Sequence, residues 1–428
     1  MKGGNGLDPR RTIAELKELR WLTGNADGAQ RVAWTETWAK ARRWLTGKMS
    51  SLPVEREIDE AGNLWFTLAG RSKRALVIGG HLDSVPNGGW LDGCLNVIAG
   101  MEVMRRIERQ GVPPVTVRLV DWADEEGARF GRSLFGSSCV SGAMDPVAMR
   151  GVVDSDGVTL QDALAAHGVD LRRAKRSGRQ LRNAAAYLEL HIEQGPVLES
   201  LGKPMGAVLG TFGVQRHAIR FSGQAAHAGS TPMAERRDAL AGVSRLHLAV
   251  RDIAVKHRGV CTVGKVTTQP GIVTAVAGTA EMLLDQRHLE AKKLARLLAD
   301  ARLASERIAR EERIRVEWHK MWSIQPFLFH RELIRLAEDS VKEICGTSHR
   351  LPSGPLHDAA EVCRTGVPTA MLFVQSLRGI SHNQIEDTKE RHLVMAVRAL
   401  DRLAARTTAW IERRGARSQT GPQGETGS

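Results

Sequence analysis

The sequence predicts an α/β protein: a mostly parallel sheet covered by helices, with a smaller α+β domain inserted into the chain. Three observations lead there. Short apolar runs ending in glycine or acidic residues alternate with helical periodicity over the first 210 residues. From about residue 211 the texture changes to half-polar alternation, and after about residue 325 the first texture returns. The expected division is therefore 1–210 and 325–416 for the larger domain, 211–324 for the insertion, and 417–428 for a Gly/Ser/Thr/Gln-rich tail expected to lack order.

Residues 11–47 read as helix, with apolar residues recurring three and four apart. Ala75-Leu-Val-Ile-Gly79 reads as a buried strand, 95–107 as a helix and 115–122 as a second strand. Strand, helix and strand with apolar strands is the pattern of a parallel sheet under helices. Residues 187–192 add another strand. In the insertion, 218–222, 261–266 and 280–285 alternate like half-exposed strands, with helices expected over 233–256 and 290–311. The larger domain resumes with a helix over 330–345, a strand over 368–374 and a closing helix over 388–412.

Composition narrows the function. The 428 residues carry 61 Lys+Arg against 48 Asp+Glu, a net +13, and 42% are hydrophobic, which suits a packed protein rather than a disordered one. No apolar run reaches the roughly 18–20 residues of a membrane span. The basic start of the chain has no apolar stretch behind it, so a secretory signal is not expected. Cys94, Cys139, Cys261, Cys345 and Cys363 are far apart and never form a CxxC pair, which argues against a disulfide framework and for a reducing cytoplasm. The arginines are scattered among acids along helices, with one basic cluster at 171–182 that reads as a solvated loop. Nucleic-acid binding is not expected from such a pattern. The positive field suits a small anion.

Five segments concentrate acids, histidines and glycines at expected strand ends: 79–85, 89–93, 122–127, 189–195 and 379–383. A single histidine beside a strand, or a single Asp-Glu-Glu run, is ordinary. Three histidines with several carboxylates on loops that converge at strand ends are not, because buried without a cation they would leave uncompensated charge. Imidazole plus carboxylate is a ligand set for zinc and also suits manganese, cobalt or nickel. Two such ions lower the pKa of water and hold it as a nucleophile, and a further carboxylate must then move its proton. Adjacent Glu125 and Glu126 offer that division of labour.

At these residues the sequence resembles the hydantoinase/carbamoylase group of amidohydrolases, relatives of the two-metal aminoacylases and carboxypeptidases. The group includes N-carbamoyl-L-amino acid hydrolases, β-ureidopropionases and allantoate amidohydrolases. Six motifs match in order: GGHLDSVPNGGWLDG, ADEEGARFG, ELHIEQGPVLE, GQAAHAGSTPMAERRDAL, DQRH and GISHNQIEDT. The resemblance implies a metallopeptidase-like catalytic domain, with the insertion serving dimerisation and as a lid. It implies two divalent metal ions per subunit, with His81, His191 and His382 as ligands, Asp92 as the bridging carboxylate and Glu126 on the second metal. His81 and His191 would share one ion, Glu126 and His382 the other. Asp83 resembles the acid that orients His81, and Glu125 the general base. His227 resembles a residue that reaches the neighbouring subunit's site and stabilises the oxyanion. Arg287 resembles the clamp for a substrate carboxylate, and Gln194 a polar group near the ureido moiety.

Two departures bear on substrate. Thr274 stands in Thr274-Ala-Val-Ala-Gly278 where many members carry a substrate-holding Asn, and 353–358 reads Ser-Gly-Pro-Leu-His-Asp where Ser-Gly-Ala-Gly-His-Asp is common. Gln375 and Gln384 stand where Pro is frequent. The expectation is a homodimeric, metal-dependent hydrolase of N-carbamoyl-L-amino acids or N-carbamoyl-β-amino acids. Allantoate hydrolysis is the alternative within the class, and an aminoacylase or peptidase the alternative outside it. A non-catalytic binder that kept the fold is a further possibility, against which the intact Glu125 argues.

Overall fold

The computed structural model describes residues 6–419. The chain forms two compact units: Met1–Leu209 with Phe329–Ser428, and Gly210–Leu328.

In the first unit the strands run in the order Met205–Thr211, Thr369–Val374, Ala184–Ile192, Ser72–His81, Val115–Trp122, Leu64–Leu68 and Glu55–Ile58. The four central strands of this order are mutually parallel. The neighbours on either side pair antiparallel and extend this parallel centre into a mixed sheet. The outer pair on one side, Glu55–Ile58 with Leu64–Leu68, is joined by a tight turn at 59–63, a connection that only antiparallel strands allow.

The central strands are apolar on both faces, as a helix-covered parallel sheet requires. Leu76, Ile78, Leu119, Leu188 and Leu190 face a core built with the helices Pro9–Thr23, Cys94–Glu108 and Glu390–Gln419. The alternate residues Val77, Val120, Trp122, Tyr187, Met371 and Phe373 face the opposite core. The sheet is thereby clamped from both sides, and only its strand ends are left to form loops.

The expected helix over 11–47 is two helices, Pro9–Thr23 and Glu36–Met49, separated by a short hairpin. Gly24, Asn25, Asp27 and Gly28 are the reason: the Gly28 φ of 121° lies where only glycine is unstrained. Asp8 and Thr35 then cap the two helices through their side chains. The strand and helix expected at 115–122 and 95–107 appear as Val115–Trp122 and Cys94–Glu108.

The second unit is a four-stranded antiparallel sheet in the order Val260–Gln269, Thr279–His288, Gly213–Ser222 and Arg315–Ile324. The helices Ala239–His257 and Ala291–Glu311 pack with it around Ile219, Phe221, Met282 and Leu284. The Arg315–Ile324 strand has no counterpart in the sequence reading. The tail expected at 417–428 falls mostly outside the described residues. Among those described, no helix is long and apolar enough to cross a membrane.

Candidate active site

The parallel strands all end on one edge of their sheet, and the candidate residues sit there. His81 is the last residue of its strand, and His191 is the penultimate residue of Ala184–Ile192. Glu125 and Glu126 follow Val115–Trp122 on a turn formed by Asp124 and Gly127, both at positive φ. His382 (φ 54°) lies in the loop after Thr369–Val374. Asp92 precedes Gly93, which opens the Cys94–Glu108 helix. Gly93 has a φ of 65°, and a Cβ there would stand 2.4 Å from the His81 ring, so only glycine lets His81 sit against this turn.

The structure brings His81, Asp92, Glu125, Glu126, His191 and His382 together. Three overlapping trios each place their ligand atoms within 4.8 Å of one another: His81–Asp92–His191, His81–Glu125–Glu126 and Asp92–Glu126–His382. Asp92 stands between two of them. Its Oδ1 is 3.0 Å from His191 Nε2, and its Oδ2 is 3.3 Å from His382 Nε2. His382 Nε2 is also 3.2 Å from Glu126 Oε2, and His81 Nε2 is 3.7 Å from Glu125 Oε2.

The donor set fits divalent cations. His81 Nδ1 lies 3.1 Å from the Asp83 carbonyl oxygen, and His191 Nδ1 lies 2.9 Å from that of Ile192. Each Nδ1 therefore carries a proton given to that carbonyl, and each Nε2 points into the cluster, where its lone pair can meet a cation once the ring is neutral. His191 Nε2 and Glu126 Oε1 are buried there without a hydrogen bond. Burial works against a charged His81, yet Glu125 and Asp83 raise its pKa well above the usual imidazole range. Asp92 and Glu126 push His382 up to about 11. Burial raises the Asp92 carboxyl, but His191 and His382 outweigh it and hold that group well below the ordinary carboxylate range. The whole cluster calls for positive charge, which a bound cation supplies without protonating the rings.

Glu125 is 8% exposed. Burial, followed by the opposing pull of His81 and the push of Glu126, raises its carboxyl well above the ordinary range. Asp83 acts on this turn more than on the ring of His81. Its carboxylate accepts from the Glu125 amide at 3.3 Å and the Glu126 amide at 3.0 Å, while its Oδ1 is 3.6 Å from His81 Nδ1. Gln194 (φ 56°) turns its Nε2 onto Asp92 Oδ2 at 2.9 Å and toward the Ser381 hydroxyl at 3.1 Å.

His227, Thr274 and Arg287 belong to the second unit. The structure brings the first two together there: His227 pairs with Ala275 across two short strands, and the exposed Thr274 accepts the Ala228 amide through its carbonyl at 2.9 Å. His227 Nδ1 accepts from the amides of Gly229 and Ser230, each at 3.1 Å. That nitrogen carries no proton, so the neutral ring presents N–H at Nε2. The Arg287 guanidinium is held by Asp285 at 2.7 Å, and Asp285 also takes Arg216 at 2.8 Å.

Three groups at the site escaped the sequence reading. The His357 ring lies 4.4 Å from that of His191, with its Nδ1 3.9 Å from Glu189 Oε1. Burial, reinforced by His191, pushes it well below the usual imidazole range, so it stays neutral. Asp124 accepts from the indole of Trp34 at 2.9 Å and from the Gly127 amide at 3.1 Å, fixing the turn that carries Glu125. Glu386 accepts from the Asp92 amide at 3.1 Å. Asp124 and Glu386 fall inside the matched motifs and His357 inside the departing 353–358 segment, but nothing in their spacing separated them from ordinary turn residues.

The model of peptidase family M20/M25/M40 matches residues 77–406. An N-carbamoyl-L-amino acid amidohydrolase of Geobacillus stearothermophilus is 34% identical over 371 residues, 85% of this chain and 90% of that protein. An allantoate amidohydrolase of Escherichia coli is 33% identical over 402 residues, 91% and 96% of the two chains. Among solved structures, a hydantoinase/carbamoylase family amidase from Burkholderia multivorans superposes with a TM-score of 0.85 at 30% identity, over 93% of this chain and 97% of that one. Enzymes of this family are generally dimetal-dependent, and among the described residues the histidine–carboxylate cluster could hold metal. The chain belongs to the M20/M25/M40 peptidase family and is an amidohydrolase of the hydantoinase/carbamoylase kind, acting on amide or ureido C–N bonds.

Proposed function

We propose that the protein hydrolyses the carbamoyl C–N bond of N-carbamoyl-L-amino acids or N-carbamoyl-β-amino acids, releasing amino acid, ammonia and carbon dioxide. The observation that carries this reading is Asp92 standing between His191 and His382, with Glu125 beside His81 and outside the Asp92–Glu126–His382 trio. His81, His191 and Asp92 would hold one divalent ion, and Asp92, Glu126 and His382 the other. Two such ions, when bound, supply Lewis acidity at the scissile carbonyl and acidify water.

The chain's own groups supply the rest. Glu125 takes the proton from water and hands it to the leaving nitrogen, a role served by a carboxyl whose proton affinity burial has raised. Asp83 holds the Glu125–Glu126 turn through two amides. His227 donates from Nε2 to the oxyanion, and its fixed tautomer favours that role. Arg287 binds the substrate carboxylate, its fork prepositioned by Asp285. The larger unit is then the catalytic domain and Gly210–Leu328 the dimerisation and lid domain, with His227 of each chain serving the other chain's site in a homodimer.

Allantoate is the second reading, favoured by the Escherichia coli relative. The test is ammonia and amine release from the metal-loaded enzyme across N-carbamoyl α- and β-amino acids and allantoate. Turnover of a carbamoyl amino acid well above allantoate supports the first reading. The reverse order supports the second, and release from N-acyl amino acids alone sinks both.

A further inference from the structure

Glu386 lies four residues beyond His382, is 2% exposed, and has no part in the reaction proposed above. Its Oε1 accepts from the amides of Leu91 and Asp92, each at 3.1 Å. Its Oε2 is 2.7 Å from the Ser381 hydroxyl, which also stands 3.1 Å from Asp92 Oδ2. One buried carboxylate thus joins two loops 295 residues apart in the chain. Those loops carry Asp92 and His382, whose facing atoms are 3.3 Å apart.

The seat of Glu386 is closely filled. A Cβ on Gly89 would stand 1.9 Å from its Oε1 and 2.0 Å from its carboxyl carbon. Gly89 is not among the residues at positive φ, so its backbone conformation does not call for glycine. The space taken by Glu386 does.

We propose that Glu386 is a positioning residue that sets the separation of Asp92 from His382, and through it the affinity for the cation held by Asp92, Glu126 and His382. The inference rests on the metal-centre reading given above. A carboxylate accepting two amides makes charge-assisted bonds that fix the backbone on which Asp92 stands. Without it those buried amides lose their acceptor, and the Asp92 carboxylate is free to drift from His382. Outer partners of metal ligands usually govern affinity by about 10–100-fold.

Equilibrium dialysis of the full chain against Mn2+, with the melting temperature of each metal-free protein, tests this. Glu386→Ala is expected to weaken one of the two Mn2+ sites by about 10–100-fold. Glu386→Gln, whose amide oxygen still accepts both N–H groups, recovers most of that loss. Gly89→Ala keeps the carboxylate but takes its seat, and weakens the same site. A merely structural role would lower the metal-free melting temperature in Glu386→Ala and leave Mn2+ affinity unmoved. Parental Mn2+ affinity in folded Glu386→Ala, or in Gly89→Ala should the first variant not fold, overturns the inference, as does a Gln variant no better than Ala. If the parent binds no more Mn2+ than Asp92→Ala, the metal reading itself falls.

Discussion

His191 Nε2 and Asp92 Oδ1 face each other at 3.0 Å in the interior, and with the His191 Nδ1 proton committed to the Ile192 carbonyl, a neutral His191 ring has no hydrogen to give Asp92. Two buried lone pairs at that distance repel unless a cation or an extra proton stands with them. A divalent cation would resolve that conflict at His191.

Asp92→Ala and His191→Ala are therefore expected to lose metal together with activity. In the proposed centre Asp92 would neutralise both ions, so its loss would leave two cations to repel each other at close range. Elemental analysis of dialysed protein decides the matter: two ions per chain retained in Asp92→Ala would remove Asp92 from the bridging position.

Glu125→Gln separates proton transfer from metal binding. The amide fills the same buried space and cannot take a proton, so metal content should hold while kcat falls by about 10²–10⁴-fold. A near-parental rate would make Glu125 structural and require another base.

The candidate site was legible because its residues lie at the ends of strands whose apolar runs are unmistakable: Ala75–Gly79 leads to His81, and Val115–Trp122 leads to Glu125. What the sequence could not show depends on loops meeting in space. Gln194 reaches Asp92, and Glu386 reaches the Asp92 amide, through folds of chain 102 and 294 residues long. The missed strand at Arg315–Ile324 has a local cause: its register shifts between Lys320 and Trp322, which breaks the period-two alternation that marks a strand. The Glu55–Ile58 strand was hidden by its polar sequence, Glu-Arg-Glu-Ile, which suits the end of the sheet where it lies.

The inserted unit carries its own pH dependence. His217 is buried in the Gly213–Ser222 strand with its ring edge-on to Trp318 at 5.4 Å, and its Nδ1 has no hydrogen-bond partner among the described residues. Burial, with Arg302 and Lys320 adding repulsion, pushes it down to about 4. Because the folded pKa is depressed, the unfolded chain binds the proton first. The stability tied to this group is intact above the unfolded pKa of about 6.5 and drains away as the pH falls toward 4. Allowing for screening, the loss is roughly 1–2 kcal/mol. His217→Phe keeps a ring against Trp318 and does not titrate, so its melting temperature should fall less than the parent's between about pH 7.5 and pH 5. An equal fall would clear His217 of the effect.

Subunit complementation tests the role given to His227. The geometry of its ring, with Nδ1 occupied by the Gly229 and Ser230 amides, leaves Nε2–H to be offered outward from an exposed position. If that donor serves the partner's site, His227→Ala and Glu125→Gln are each inactive alone, and mixing them after subunit exchange restores activity. In a mixed dimer one site joins an intact Glu125 to an intact His227 from the other chain, and its twin has neither. Random 1:1 pairing makes half the dimers mixed, so about a quarter of all sites should work. The assay is turnover of a carbamoyl amino acid before and after exchange, with exchange itself followed by a tag on one chain. No recovery despite proven exchange would mean that His227 acts within its own chain or not at all.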